Sequence, residues 1–305
     1  MIVTPLLKQG VNIVGVSEVY DHFGNMNKLR QWIERLYWQV CKKQESPYLS
    51  LFAQKNNIAY AEKKRGDNDE YMAWLRELNP DVLVLHQAPI LIPDIFSIPR
   101  FGTLNIHPSL LPKYRGSNPY FWMYYDLDMT AGITLHYIDE NIDTGDIVGQ
   151  GGYSIELGTP ASAVGKVLVN NYAIPLLIKA IQTLESTGKL KTIPQPVDSP
   201  TPYAKRLTVE AYYEALDFEN WELEHLWHVL NSNDQWRDVF LAKIENSGSY
   251  NWTIKGIERR EVNMPYGEIE EDSGGYHIKH KQGVIYLNRV FSMRKFFTSL
   301  FKLDF

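Results

Sequence analysis

Between residues 11 and 138, short apolar segments rich in β-branched residues alternate with longer stretches of helical periodicity. A chain patterned in this way must pair its strands side by side in a mostly parallel sheet and cover both faces with helices. Strands are expected at 11–19, 58–61, 81–85, 103–107 and 131–138. The first of these (VNIVGVSEV) has the continuous apolar character of a strand buried on both faces.

Leu29, Trp32, Ile33, Leu36, Tyr37 and Val40 recur at helical spacing, with Arg30, Glu34 and Lys42 on the opposite side. A surface helix explains this pattern, and a phosphate contact is the sharper alternative. Gly66-Asp67-Asn68 is expected to cap a helix over 69–78 that stops at Asn79-Pro80. A long helical pattern over 160–187 ends at Gly188. Segment 189–203 holds four prolines and no periodicity, and reads as a linker. Beyond it, a helix over 221–231 and strand patterns over 243–257, 276–279 and 284–291 predict a small α+β or barrel-like second domain.

The 305 residues are 44% hydrophobic and 22% charged, which excludes wholesale disorder. The clean apolar runs fall far short of the roughly 18 residues of a membrane span. With no signal-peptide pattern, and a single cysteine (Cys41) excluding an internal disulfide framework, a cytoplasmic protein is expected. Net charge is −5, unevenly spread: residues 28–65 hold nine Lys/Arg against three Asp/Glu, and residues 206–305 hold twelve against sixteen. A polyanionic partner would therefore meet the first part of the chain.

Chemistry-bearing residues concentrate in 101–146. Asn105 and His107 stand at i and i+2 near the end of a strand, so their side chains share one side, and Pro108 stiffens the exit. The carboxyl ends of parallel strands are where open α/β sheets place ligands. Asp143 follows 36 residues after His107, in a loop (139–146) with four carboxylates, more than a structural turn needs. A histidine, an amide and a carboxylate suit acyl transfer to an amine: the first accepts a proton, the last orients the imidazole, and the amide donates to developing negative charge. Sequence alone does not bring Asp143 to His107, and a buried strand histidine with a turn aspartate is the competing account.

Other chemistries fit less well. Ser109 lacks a G-x-S-x-G elbow. The pairs His225/His228 and His277/His280, each spaced i, i+3, read as surface histidines, and no metal is expected. There is no P-loop or G-x-G-x-x-G turn. The tail 291–305, with five phenylalanines, is expected to pack on its own second domain rather than on a membrane.

The string FGTLNIHPSLLPKYRG, followed by AGITLHYIDENIDTGDIV, closely resembles the signature of the folate-dependent formyltransferase family. That family comprises methionyl-tRNA, glycinamide-ribotide and sugar-nucleotide formyltransferases and a formyl-folate hydrolase. The likeness extends to Pro80-Asp81-Val82-Leu83-Val84, to the 195–206 segment and, loosely, to Gly267-Glu268-Ile269 and Gly283-Val284-Ile285-Tyr286-Leu287. It implies a Rossmann-like α/β catalytic domain over 1–188, a linker over 189–205, and a smaller α+β barrel-like (OB-like) domain over 206–305. Asn105, His107 and Asp143 match the family's catalytic trio. The donor would be N10-formyltetrahydrofolate, its pterin held mainly by backbone groups of loops 87–92 and 138–143, which include Gln87, Ala88, Ile90, Leu91, Ile138 and Glu140. Arg115 and Gly116 match a loop beside the family's active site.

One departure concerns the start. Family members open with a strand and a small-residue loop ahead of the equivalent of Thr4-Pro5-Leu6-Leu7, and here Met1 stands almost at that helix. Either the start is truncated or another segment fills the position of the central strand. An absent central strand would leave ladder groups of its neighbours unpaired.

The acceptor decides the function within the family. An acidic second domain disfavours a large RNA, and Tyr120, Phe121 and Trp122 offer faces for stacking on a base or sugar, unless they are core residues. The expected acceptor is an amino sugar linked to a nucleotide, serving surface polysaccharide synthesis. Methionyl-tRNA is the alternative, and a non-catalytic folate-binding remnant a second one. Arg115 and Tyr120 are the candidate acceptor contacts, and a homodimer is the expected assembly.

Overall fold

A computed structural model of the chain describes residues 2–20, 49–64, 66–233 and 249–293. The helical pattern at 29–40, Cys41, most of the basic 28–65 region and the tail beyond 293 lie outside these residues. In chain order the first elements are α1 (Val3–Lys8), β1 (Gly15–Tyr20), α2 (Leu49–Asn56), β2 (Ala59–Lys64), α3 (Asn68–Leu78), β3 (Leu83–His86), α4 (Pro93–Phe96) and β4 (Thr103–His107). They continue with α5 (Pro119–Tyr125), β5 (Thr130–Tyr137), β6 (Ile147–Ser154), α6 (Ala161–Leu168), a π-helical turn (Val169–Ala173) and α7 (Ile174–Thr187). The last are α8 (Val209–Glu214), α9 (Leu223–Ser232), β7 (Tyr250–Arg259), β8 (Ile269–Asp272), β9 (Gly275–His280) and β10 (Gly283–Phe291).

These elements form two compact units that do not follow chain order. One comprises Met1–His107, Ile133–Gly151 and Val169–Asp198, and the other Pro108–Gly132, Gly152–Leu168 and Ser199–Phe305.

In the first unit β1 pairs in parallel with β2 as a two-stranded sheet, and β3-β4-β5-β6 form a separate four-stranded one. Among the described residues no strand joins β1 to β3, and each pairs on one side only. The expected mostly parallel sheet is in fact mixed: β3 and β4 are parallel, β4 and β5 antiparallel. Tyr137 N–H bonds the Asp146 carbonyl, and Gln150 bonds Thr134, so β6 returns antiparallel along β5. For β5 and β6 the physical reason is the short 138–146 connection, which can link neighbouring strands only by reversal.

Strand β4 spans the residues its pattern predicts, because Leu104 and Ile106 are buried on one face and Thr103 and His107 on the other. The first strand starts at Gly15 rather than Val11. Helix α3 buries Tyr71 and Leu75, carries Asp69 and Glu70 in its first turn, and ends at Asn79 with left-handed φ 45°. Asp67 precedes it without a side-chain cap bond, contrary to expectation.

The run 161–187 is long and apolar enough to cross a membrane by length and composition, although Lys166, Lys179 and Glu185 interrupt it. Its second part, α7, buries Ile174, Leu177, Ala180 and Leu184, spaced three and four residues apart, as a helix packed along one face does.

The second unit holds the antiparallel sheet β7-β10-β9-β8. Trp252, Ile278, Ile285 and Leu287 from this sheet pack with Leu226, Val229 and Leu230 of α9, with Tyr212, and with Phe121 of α5. Among the described residues this is an open sheet backed by helices, and no barrel closure is seen. The histidines expected at the surface are inside: His228 and His280 are fully buried, His277 nearly so, and His225 stacks on Trp221. Backbone partners make the burial of three of them tolerable. His225 Nε2 lies 2.9 Å from the Tyr125 carbonyl, His280 Nε2 lies 3.0 Å from that of Trp221, and His228 Nδ1 accepts from Gly158 N–H at 2.7 Å.

Candidate active site

Three residues on adjacent strands and one from a loop converge in the first unit. Asn105 and His107 project from β4, and His136 stands directly opposite Asn105 on β5. Asp143 reaches the same place from loop 138–146. Its Oδ2 lies 3.4 Å from His107 Nδ1, and its Oδ1 lies 3.3 Å from Asn105 Nδ2 and 3.6 Å from His136 Nε2. The Asp143 side chain is only 12% exposed, so its charge depends on the hydrogens that His107 Nδ1 and Asn105 Nδ2 direct at it.

Tautomers follow from the acceptors. A carboxylate beside Nδ1 of His107 favours the proton on that atom, leaving Nε2 as the basic lone pair. His136 Nδ1 lies 2.7 Å from the Tyr137 carbonyl, which can only accept, so Nδ1 carries the hydrogen and Nε2 accepts. Asn105 Nδ2, 3.1 Å from that Nε2, thus stands between two acceptors, His136 and Asp143. Both hydrogens of the amide are committed within the cluster at rest.

The loop is built to deliver Asp143. Asp143 has left-handed φ 56°, and at Gly145 an added Cβ would collide with the Tyr137 carbonyl. Two of the four carboxylates prove structural after all. Asp139 accepts from Thr144 Oγ1 at 2.7 Å and from Asn141 N–H at 3.1 Å, and Asp146 accepts from Thr192 Oγ1 at 2.8 Å. Glu140 is exposed.

The two expected donor loops share one cluster. Leu91 is buried with Leu85, Ile95, Tyr71 and Leu75, while Ala88 and Ile138 pack against them. Gln87 turns the chain sharply out of β3 with φ 54°. Ile90 (77% exposed), Ile92 and Ile142 present apolar side chains outward from the same loops.

Arg115 and Tyr120 lie in the second unit. Arg115 is buried and its carbonyl accepts from Ala204 N–H at 2.7 Å. Tyr120 is half-buried, and burial pushes its phenol pKa up, with Tyr153 adding to the rise. Phe121 is core, and Trp122 packs on it while donating to the Lys205 carbonyl. Ser109 donates to the Lys113 carbonyl, a structural turn. No cluster of metal-ligating residues occurs among the described residues.

Sequence reasoning missed His136 and Gln195. His136 could have been found, because a second polar residue alternating with Thr134 in an apolar strand faces the same side as its cross-strand partner. Gln195 lay in a segment without periodicity. Its Nε2 donates to the carbonyls of Asp143 (3.0 Å) and Gly145 (2.7 Å), so the supposed free linker is packed on the site loop.

Residues 34–167, which include all four clustered side chains, match the formyl transferase family. Over these residues the chain is similar to formyl transferases. The family resemblance read from the motifs is thereby met. Methionyl-tRNA formyltransferase of Clostridium tetani is 27% identical over 254 residues, covering 80% of this chain and 77% of that one. Further methionyl-tRNA formyltransferases, such as that of Acetivibrio thermocellus (34% identical), match over only about half their length. By fold, the chain is similar to the sugar 3N-formyl transferase WlaRD (TM-score 0.54, 20% identity, 82% of this chain and 84% of that chain). It is similar also to an N-formyltransferase from Helicobacter canadensis (TM-score 0.50, 17% identity, 91% and 99%).

Proposed function

We propose that the protein transfers a formyl group from N10-formyltetrahydrofolate to the amine of a nucleotide-linked amino sugar. The observation that carries the chemistry is the Asp143 carboxylate set against His107 and Asn105 within a region similar to formyl transferases. His107 Nε2 would take the proton from the attacking amine, Asp143 would stabilise the imidazolium, and that proton would pass to the leaving nitrogen as the formyl–nitrogen bond breaks and the new one forms. Asn105 would turn one N–H from Asp143 toward the transferred carbonyl oxygen. The donor supplies the activated one-carbon unit. The outward Ile90 and Ile142 and the left-handed turn at Gln87 suit a flat ring held between two loops. In this reading residues 1–188 carry the chemistry, 189–205 connect, and 206–305 form a second domain.

The choice of acceptor rests on charge. Residues 206–305 are net acidic, which suits a small diphosphate-linked acceptor better than a tRNA. The neighbours WlaRD and the Helicobacter enzyme, crystallised with dTDP and with dTDP-3-aminofucose, support this class. The curated relatives favour a second reading, methionyl-tRNA.

A competition assay separates the two. With 10-formyltetrahydrofolate, a dTDP-linked amino sugar should be formylated, with a KM little changed between low and moderate salt. Efficient formylation of charged initiator tRNA without sugar formylation would replace this reading by the other. On the true acceptor, His107→Ala and Asp143→Asn should each lower turnover by about 100-fold or more. Near-normal turnover in both would remove the site assignment.

A further inference from the structure

Segment 192–195 has no regular structure beyond one bridge, yet it is tied to the Asp143 loop at three successive points. Thr192 bonds Asp146, Ile193 and Ile147 exchange both backbone hydrogen bonds at 2.9 Å, and Gln195 Nε2 spans the carbonyls of Asp143 and Gly145. These ties add to the loop's own bonds from Thr144 and Asn141 to Asp139. Asp143 sits in the left-handed region, which an L side chain adopts reluctantly, and the turn must also bring its backbone against Tyr137 at Gly145. Two carbonyls separated by one residue converge on a single nitrogen. Only a side chain offering two hydrogens from one atom at this reach can serve both, and glutamine does so without charge.

We propose that Gln195 is a positioning residue for the transfer chemistry. By clamping the carbonyls on either side of Thr144 it fixes the turn that sets the Asp143 carboxylate 3.4 Å from His107. The proposal rests on the formyl-transfer reading above. It makes a connection between domains part of the catalytic geometry, although Gln195 itself faces backbone rather than substrate.

The decisive comparison is Gln195→Ala with Gln195→Glu in the full chain. Glutamate keeps the side-chain volume but presents only acceptors to two carbonyl oxygens. Turnover is measured with 10-formyltetrahydrofolate and whichever acceptor, dTDP-amino sugar or charged tRNA, the competition assay selects. Both variants should lose about 10- to 100-fold in kcat with the donor KM nearly unchanged, the pattern of a displaced reacting group. Adding Gln195→Ala to Asp143→Asn should cost nothing further, because the residue acts through Asp143. Wild-type kcat in Gln195→Glu would mean that only shape matters and would overturn the proposal. Multiplying losses in the double variant would overturn it too. Should Gln195→Ala melt early, the near-isosteric Gln195→Glu carries the test. Full turnover in Asp143→Asn alone would instead sink the site reading itself, an outcome distinct from a failure confined to Gln195.

Discussion

Asn105 Nδ2 and His136 Nε2 lie 3.1 Å apart, joined across directly opposed positions of antiparallel strands β4 and β5. Because His136 spends its Nδ1 hydrogen on the Tyr137 carbonyl, its Nε2 can only accept. An inverted Asn105 amide would bring its oxygen against that lone pair. His136 therefore decides which end of Asn105 faces the cluster.

Replacing His136 by leucine should leave a buried amide hydrogen without its partner. A loss of about 1–3 kcal/mol in unfolding free energy is expected. Turnover should fall about tenfold or more as Asn105 loses its set orientation. Chemical denaturation and steady-state kinetics check the two effects separately, and unchanged values in both would show that the pair is incidental.

Gly145→Ala should be costly because the new methyl meets the Tyr137 carbonyl, a backbone atom that cannot step aside. A destabilisation of about 1–3 kcal/mol follows from such overpacking. Gly256→Ala on β7 is the control, since a Cβ there meets open space. Equal melting temperatures for the two variants would contradict the close approach.

Two adjacent residues of the proposed donor loop should behave differently. Ile90 is 77% exposed and Leu91 5%, the latter inside a buried cluster. Ile90→Asp should fold normally yet lose the thermal stabilisation given by 10-formyltetrahydrofolate, whereas Leu91→Asp should lose the fold itself. A normal ligand-induced shift in Ile90→Asp would take this loop out of the donor site.

Stability should fall on mild acidification. Burial, with a smaller contribution from His225, pushes the His228 pKa down to about 4. The unfolded chain protonates this histidine near its ordinary value of about 6.5. Between these limits the unfolded state binds the extra proton, so the stabilisation is whole above pH 6.5 and drains away as pH falls toward 4. The loss should be on the order of 3 kcal/mol. His228→Asn, which keeps a side-chain acceptor for the Gly158 N–H without a titratable ring, should flatten that slope of melting temperature against pH. An unaltered slope would assign it to other groups.

Much of the site was legible because it is local. Alternation along β4 put Asn105 and His107 on one side, and their string resembled a known motif. Asp143 was legible as a candidate and not as a neighbour, since the fold-back of loop 138–146 depends on Gly145 and on contacts some fifty residues away. Strand direction was misjudged for a related reason. An apolar run such as 131–138 looks the same whichever way it is threaded. The histidines of α9 and β9 were misplaced because partners such as the Tyr125 and Trp221 carbonyls leave no trace in local sequence.

Among the described residues β3 pairs only with β4, and this bears on the loop that follows it. In its parallel register with β4, Leu83 N–H bonds the Gly102 carbonyl, so Leu83 and Leu85 direct their amides toward β4, and Val84 and His86 direct theirs the other way. Among the described residues, a segment with the apolar composition of a sheet centre is thus held like a rim. Its amides at Val84 and His86 should exchange with solvent deuterium ahead of those at Leu104 and Ile106, and loop 87–92 inherits that looseness at its root. Anything gripped by the loop must also quiet the strand, so part of its binding free energy is spent on order rather than on contact.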